Sequence, residues 1–286
     1  MITLRAYGYE VQVDPEHGGQ VQKLTYCARP VLRPARSLPN RDPLAGASFP
    51  LIPYSNRIAH GQFEFRDTPH VLRLNADPEP HALHGEGWQT AWSVADQHAH
   101  RCELTYQGGD NWSWPYHATQ TIEIDGTGVL FTAEIENTGE SAFPVGAGFH
   151  PYFQRFSDTT LQFQADGVLA GDRLDRADPR SLPDDWRFQA PRTLNGVDVD
   201  HCFFGWPRHA HIVQPRHALS IHVSTASPTE WTTVFAPPGG DFFCFEPVSH
   251  ATGAFNRLGG EDEGVAVLAP GQFFRFEMHL SAERTE

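Results

Sequence analysis

Lysine is nearly absent from this sequence. Lys23 is the only one in 286 residues and lies in a strand-like stretch, so aldolase or decarboxylase chemistry through a Schiff base has almost no residue to use. Cysteine is sparse and scattered. Cys27, Cys102, Cys202 and Cys244 form no C-x-x-C pair, which argues against a zinc knuckle or redox couple and for buried, reduced thiols. No Lys/Arg run interrupts a net charge of −14, set by 35 acidic and 21 basic residues. Such a balance repels a phosphate backbone, and no nucleic-acid partner is expected. Nowhere do the roughly 18 consecutive apolar residues of a membrane span occur. The start, MITLRAYGYEVQV, has no basic region leading into an apolar stretch, so no membrane partner and a cytoplasmic location are expected. G-x-S-x-G and Walker signatures are missing too, and Gly146-x-Gly148 runs into Pro151, not into a helix.

What is present is the material of a folded β protein. Phe (20 residues) and Trp (7) are too abundant for a disordered chain. The length permits a sizeable core without forcing a division, because all-β domains often run this far; residues 1–286 are read as a single domain. Apolar and polar residues alternate with period two from end to end. Val129, Phe131, Ala133 and Ile135 share one face while Thr132, Glu134 and Glu136 share the other. Gln120, Ile122 and Ile124 alternate likewise, and Asp125-Gly126-Thr127-Gly128 between the runs is turn chemistry, so 118–137 is expected to form a hairpin. Phe274, Phe276, Met278 and Leu280 continue the pattern, as do runs near 2–13, 62–74, 91–106, 211–224 and 231–236. No segment keeps a 3.6-residue apolar period over the length of an ordinary helix. The expected architecture is a β-sandwich or large barrel with few short helices. Residues 166–193, dense in Asp, Arg and Pro, suggest a surface excursion.

Two strand ends carry candidate chemistry. In Val145-Gly146-Ala147-Gly148-Phe149-His150-Pro151, alternation places Gly146, Gly148 and His150 on one face, a bare track that would leave room for a ligand beside the imidazole. A histidine satisfying a hydrogen bond beside a bulge accounts for the same residues. In Asp241-Phe242-Phe243-Cys244-Phe245-Glu246-Pro247, an apolar strand ends in a carboxylate, with Pro247 expected to stop the ladder. If the face shared by Phe242, Cys244 and Glu246 is buried, desolvation raises the carboxyl pKa and makes it a better proton acceptor near neutrality. A rim glutamate paired with an arginine is the plainer alternative.

Three more segments set polar groups among turn-formers: Pro53–Arg57, His81–Trp88 and Val199–Phe203. Sixteen histidines raise the question of a metal, and His98-x-His100 and His209-x-His211 have the i, i+2 spacing of paired ligands on a strand. No H-E-x-x-H motif or His/Cys cluster accompanies them, so no metal site is expected. Trp112 and Trp114, in GGDNWSWPY, suit either an aromatic platform at a cleft edge or packing under a loop, with a cleft-edge role expected for one of them.

Taken in order, these segments resemble the aldose 1-epimerase family, of galactose mutarotase type. The family's succession appears as Pro53 to Ile58 with Asn56-Arg57, then His84-Gly85, His150-Pro151-Tyr152-Phe153, Asp200 to Phe204, and Phe245-Glu246-Pro247, while Gly8 to Leu24 resembles its opening hairpin. The resemblance spans nearly the whole chain. It implies an antiparallel supersandwich with a sugar cleft on one sheet, Glu246 as general base, His150 as general acid, and Arg57, His84, Asp200 and Asn56 as sugar-binding groups. It also implies a small sugar as partner, no cofactor or metal, and a monomer or homodimer. Phe149-His150-Pro151 stands where better-known galactose mutarotases have an Asn-His-Ser-type segment, and the chain is shorter than theirs, so sugar preference does not carry over. A hexose-6-phosphate 1-epimerase and a non-catalytic carbohydrate-binding protein share this fold, and a glycoside hydrolase using Asp200 and Glu246 is a more distant alternative.

Overall fold

The Tyr116–Ile124 and Val129–Asn137 strands pair in unbroken antiparallel register across the Asp125–Gly128 turn, the expected hairpin extended slightly at its N-terminal end. Val129, Phe131, Ala133 and Ile135 are buried on its inner face, as the period of two requires. The structure, a computed structural model, describes residues 1–36, 43–169, 174, 178–259 and 263–285.

The hairpin sits within a nine-stranded antiparallel sheet, where Val129–Asn137 pairs next with the long C-terminal strand Phe273–Arg284 and that strand with Leu219–Ser224. Facing it is an eight-stranded sheet whose centre is formed by Val199–Phe204, Trp231–Ala236, Phe242–Val248 and Gly148–Phe149. Aromatic rings join the two layers: Phe131 of the first meets Phe149 of the second at 5.9 Å, and Phe163 meets Phe245 at 5.1 Å and Phe203 at 5.2 Å. Edge-to-face and tilted packing of this kind adds to simple area burial. A four-stranded meander covers the N-terminus. The helical elements among the described residues are short 3-10 turns, and none is long and apolar enough to cross a membrane. The fold is the all-β, galactose mutarotase-like sandwich.

Three local expectations require correction. The strand bearing Glu246 does not stop at Pro247. It runs to Val248, which pairs with Trp231 on one side and Gly148 on the other, so the ladder resumes one residue beyond the missing N–H. The glycine track before His150 leaves no room for a ligand. A Cβ on Gly146 would lie 2.2 Å from the His250 ring and one on Gly148 would lie 2.8 Å from the Pro247 carbonyl, so both glycines permit close packing of neighbouring chain. Within 166–193, part of the expected excursion (170–173 and 175–177) lies outside the described residues. The remainder is anchored: Gly167–Leu169 pairs with Val199–Phe204, Arg192–Thr193 pairs with Thr160–Phe163, and Phe188 is buried.

Candidate active site

The eight-stranded sheet turns Phe243 and Phe245 into the sandwich core and Cys244 and Glu246 to its other face. On that face opens a cavity of about 460 Å³ whose lining includes all six residues singled out from the sequence: Asn56, Arg57, His84, His150, Asp200 and Glu246. Two sheet strands supply Asp200 and Glu246, His150 follows the end of a third, and loops between short strands bring Asn56 and His84 over them.

At the floor, His150 Nε2 lies 3.3 Å from Glu246 Oε1, and the two side chains are only 6% and 4% exposed. Phe49 and Tyr152 stack on the imidazole at 4.8 and 4.7 Å, fixing its plane. His150 Nδ1 is buried without a hydrogen-bond partner of ordinary geometry among the described residues. Burial dominates the protonation behaviour of both groups. It pushes the Glu246 carboxyl well above its usual range, with the nearby Asp200 charge adding to the rise and Arg57 opposing it. It pushes the His150 imidazole down to about 3, with the Arg33 charge adding to the fall. Both effects favour uncharged forms, as expected for ionisable groups removed from water.

Asn56 and His84 form a reciprocal lock. The Asn56 N–H donates to His84 Nδ1 at 3.0 Å, and the His84 N–H donates to the Asn56 carbonyl at 2.8 Å. Because Nδ1 accepts, a neutral His84 ring carries its proton on Nε2, and burial beside His150 and Arg57 holds the ring neutral, well below the usual histidine range. Both residues adopt left-handed backbone, φ 58° for Asn56 and 59° for His84. That conformation is unfavourable for a side chain as large as histidine and is tolerated where surroundings impose it. Gly85 follows at φ 71°, and any side chain there would collide with the Ile52 carbonyl. Asn75 fastens the turn from beneath, accepting from the Leu83 N–H and donating to the Leu83 and Gly85 carbonyls.

At the rim, Arg57 Nε meets Glu79 at 3.1 Å and one guanidinium nitrogen lies 3.6 Å from Asp200, with side-chain exposures of 31% for Arg57 and 45% for Asp200. The Asn56 side-chain oxygen accepts from both the Arg57 backbone N–H and its guanidinium.

Several contributors escaped the sequence reading. Glu79, which holds Arg57, comes from the Asp77-Pro78-Glu79-Pro80 segment, whose proline density just before the histidine motif was the available signal. Arg33 lies over the Tyr152 ring at 4.2 Å and donates to the Gly46 carbonyl, backing the ring that backs His150. His250 accepts the Ser55 N–H through Nε2 at 3.0 Å and so fixes the approach to Asn56. Neither arginine nor histidine had a local motif to mark it. Glu86, inside a segment already noted, accepts three backbone N–H groups, from Gly109, Asn111 and Trp112, and staples that loop. Trp112 and Trp114 do not edge the cleft. They are buried against Phe63, Tyr54, Phe255 and Phe143, because Glu86 draws their loop inward.

Among the described residues, His150, Cys244 and Glu246 place three potential ligand atoms within 4.8 Å of one another. Burial raises both the thiol and the carboxyl well above their usual ranges, so a cation there would have to displace tightly held protons.

A buried imidazole and carboxyl group, 3.3 Å apart, thus lie beneath hydrogen-bonding side chains in a cavity on the outer face of one sheet. The aldose 1-epimerase family model matches residues 1–281. The uncharacterised Escherichia coli K12 protein YphB is 29% identical over 282 residues, covering 94% of each chain. A crystal structure of an aldose 1-epimerase candidate from E. coli K12 superposes with a TM-score of 0.91 at 27% identity, covering 99% of this chain and 98% of that one. A galactose mutarotase-like protein from Clostridium acetobutylicum superposes with a TM-score of 0.85 at 18% identity, over 99% and 95% of the two chains. This chain belongs to the aldose 1-epimerase family.

Proposed function

We propose that this protein is an aldose 1-epimerase that interconverts the α and β anomers of a free aldose such as glucose or galactose, with Glu246 as general base and His150 as general acid. The observation that carries the proposal is the His150–Glu246 pair, 3.3 Å apart on the floor of the cavity. Anomer exchange removes the C1 hydroxyl proton while a proton reaches the ring oxygen. The ring opens, the C1–C2 bond rotates and the steps reverse, with no net redox change and no need of metal or cofactor. The pair's proton inventory suits this exchange. A protonated carboxyl beside a neutral imidazole holds the same number of protons as a carboxylate beside an imidazolium, and groups this close titrate as a unit. One transfer within the pair therefore yields the base and the acid together. His84, through Nε2–H, and the Asn56, Arg57 and Asp200 side chains offer donors and acceptors to sugar hydroxyls.

Charge supports a free sugar over a hexose 6-phosphate. Arg57 is the one Lys or Arg lining the cavity among the described residues; it is engaged by Glu79 and Asp200, and Asp77 adds a further carboxyl group. A phosphate dianion entering there meets net negative charge. We read residues 1–286 as one domain, supported by a core cluster running from Ile2 to Ala282, acting in the cytoplasm as a monomer or homodimer. The test is polarimetric: the protein accelerates equilibration of freshly dissolved α-D-glucose or α-D-galactose, and more so than that of the 6-phosphate. Saturable sugar binding by calorimetry with no acceleration across a panel of aldoses would convert the reading to a non-catalytic carbohydrate-binding protein.

A further inference from the structure

The nine-stranded sheet carries a second cluster of chemistry on its outer face, remote from the cleft in sheet and orientation. Strand His209–Gln214 alternates buried Ala210 and Ile212 with outward His209 and His211. Its neighbour Leu219–Ser224 places His222 directly opposite His211. His209 Nε2 and His222 Nδ1 lie 3.1 Å apart. The His211 and His222 rings stack at 4.6 Å, nearly parallel, and His211 Nε2 bonds to Ser220 Oγ at 2.7 Å. A cavity of about 310 Å³ opens over the three imidazoles, bordered otherwise by Gln162, Gln164, Gln189, Phe163 and Pro207.

We propose that His209, His211 and His222 form a surface site for a divalent first-row transition metal ion such as Zn²⁺, clamping two adjacent strands. Histidines at i and i+2 of a strand share a face, and a third imidazole opposite one of them on the next strand completes a three-nitrogen set, the ligand chemistry that suits zinc, copper and nickel. The preformed pair already has the spacing. With metal–nitrogen bonds of about 2.0–2.1 Å, two nitrogens 3.1 Å apart subtend roughly 95–100° at the ion, between the octahedral and tetrahedral values. His211 joins by a ring rotation that releases Ser220. Water in the overlying cavity fills the remaining positions, and the side-chain amides of Gln162 and Gln164 are on hand to accept its hydrogen bonds. The sequence reading set His209-x-His211 aside for want of a further ligand. The fold supplies one from 11 residues downstream.

Calorimetric titration of Zn²⁺ into the full chain tests this site independently of any activity on sugars. Saturable one-to-one binding is expected for the wild-type protein, accompanied by a rise in melting temperature. In His222→Ala and His209→Ala the affinity falls by at least the roughly 10–100-fold that loss of even an outer-shell partner costs a metal site. In His150→Ala it is unchanged, which separates this site from the His150, Cys244 and Glu246 cluster. Metal-free melts of each variant show whether its fold is intact, and the outward position of His209 and His222 predicts that it is. Wild-type affinity in both His222→Ala and His209→Ala, loss of binding on His150→Ala, or only millimolar binding common to all variants overturns the proposal.

Discussion

The floor and the rim of the cleft are built on opposite electrostatic plans. At the floor, His150 and Glu246 are almost wholly buried, held by sheet strands and ring stacking, and driven toward uncharged forms by desolvation. At the rim, Arg57 and Asp200 keep about a third to a half of their side-chain surface in solvent and stay paired as ions with each other and with Glu79. Burial at the floor opposes charge on either group, so the two hold their proton as a pair. Exposure at the rim leaves Arg57 and Asp200 within reach of a hydrated ligand entering the cavity. The difference predicts that floor substitutions alter turnover and rim substitutions alter affinity.

The largest effect is expected at the floor. Glu246→Gln keeps the shape of the side chain and removes the proton acceptor, and His150→Gln removes the ionisable ring. Each is expected to lower kcat by roughly 10²–10⁴, the range contributed by one positioned acid or base, with little change in KM because the interaction lost is made in the transition state. Polarimetric progress curves at saturating sugar measure this directly. A loss below tenfold in both variants would erase the functional distinction between floor and rim.

Acid stability should divide the two regions next. His150 is held down to about 3 and His250 to about 4, with His84 well below its usual value. An unfolded chain titrates these imidazoles near 6.5, so below that pH it binds more protons than the native protein. Stability is therefore fully present above about pH 6.5 and is lost as pH falls toward 3–4. The raised Glu246 works in the opposite sense: its contribution is complete below the unfolded carboxyl value of roughly 4.3 and is lost as pH rises through its native value. The three imidazoles therefore pull stability down together as the pH falls below 6.5. Thermal melts between pH 7.5 and 4.5 are expected to show a steep fall that His150→Gln flattens, whereas Asp200→Asn acts on it only through the carboxyl of Glu246.

A smaller effect is expected at the rim. Asp200 lies 3.6 Å from Arg57 and is nearly half exposed, so solvent screening limits what it contributes. Asp200→Asn is expected to raise KM roughly fivefold to tenfold, about 1–1.4 kcal/mol, with kcat within twofold. A fall in kcat comparable to that of Glu246→Gln would assign Asp200 to the chemistry and blur the boundary.

The fold was legible because its signal is local. Period-two alternation in 118–137 and 274–280 needs no distant information to specify a half-buried strand, and the register of that hairpin follows from its turn. The six candidate residues that line the cavity could be singled out for a different reason: each lies in a short motif, and five such motifs occur in a recognisable order. What alternation could not convey was what lies across from a given residue. Gly146 and Gly148 suggested open space because the sequence does not show His250 and Pro247 filling it. Pro247 suggested a strand end because the pairing of Val248 on both sides is set by two other strands. Glu79, Arg33 and His250 act through tertiary contacts alone, and His222 gained meaning only when strand pairing set it opposite His211.

The smallest effect on sugar handling is expected from the loop once suspected of edging the cleft. Trp112 is buried against Phe63 at 5.3 Å and Phe255 at 5.7 Å, and its backbone N–H donates to Glu86. Trp112→Phe keeps an aromatic ring but leaves a small void, which should cost about 1–2 kcal/mol of stability. Because the ring does not line the cavity, KM and kcat are both expected to stay within twofold of wild type at a temperature where the variant is folded. Denaturant melts combined with polarimetry separate the two quantities. A rise in KM matching that of Asp200→Asn would extend the rim to this loop, whereas loss of stability alone confines sugar contact to the groups that line the cleft.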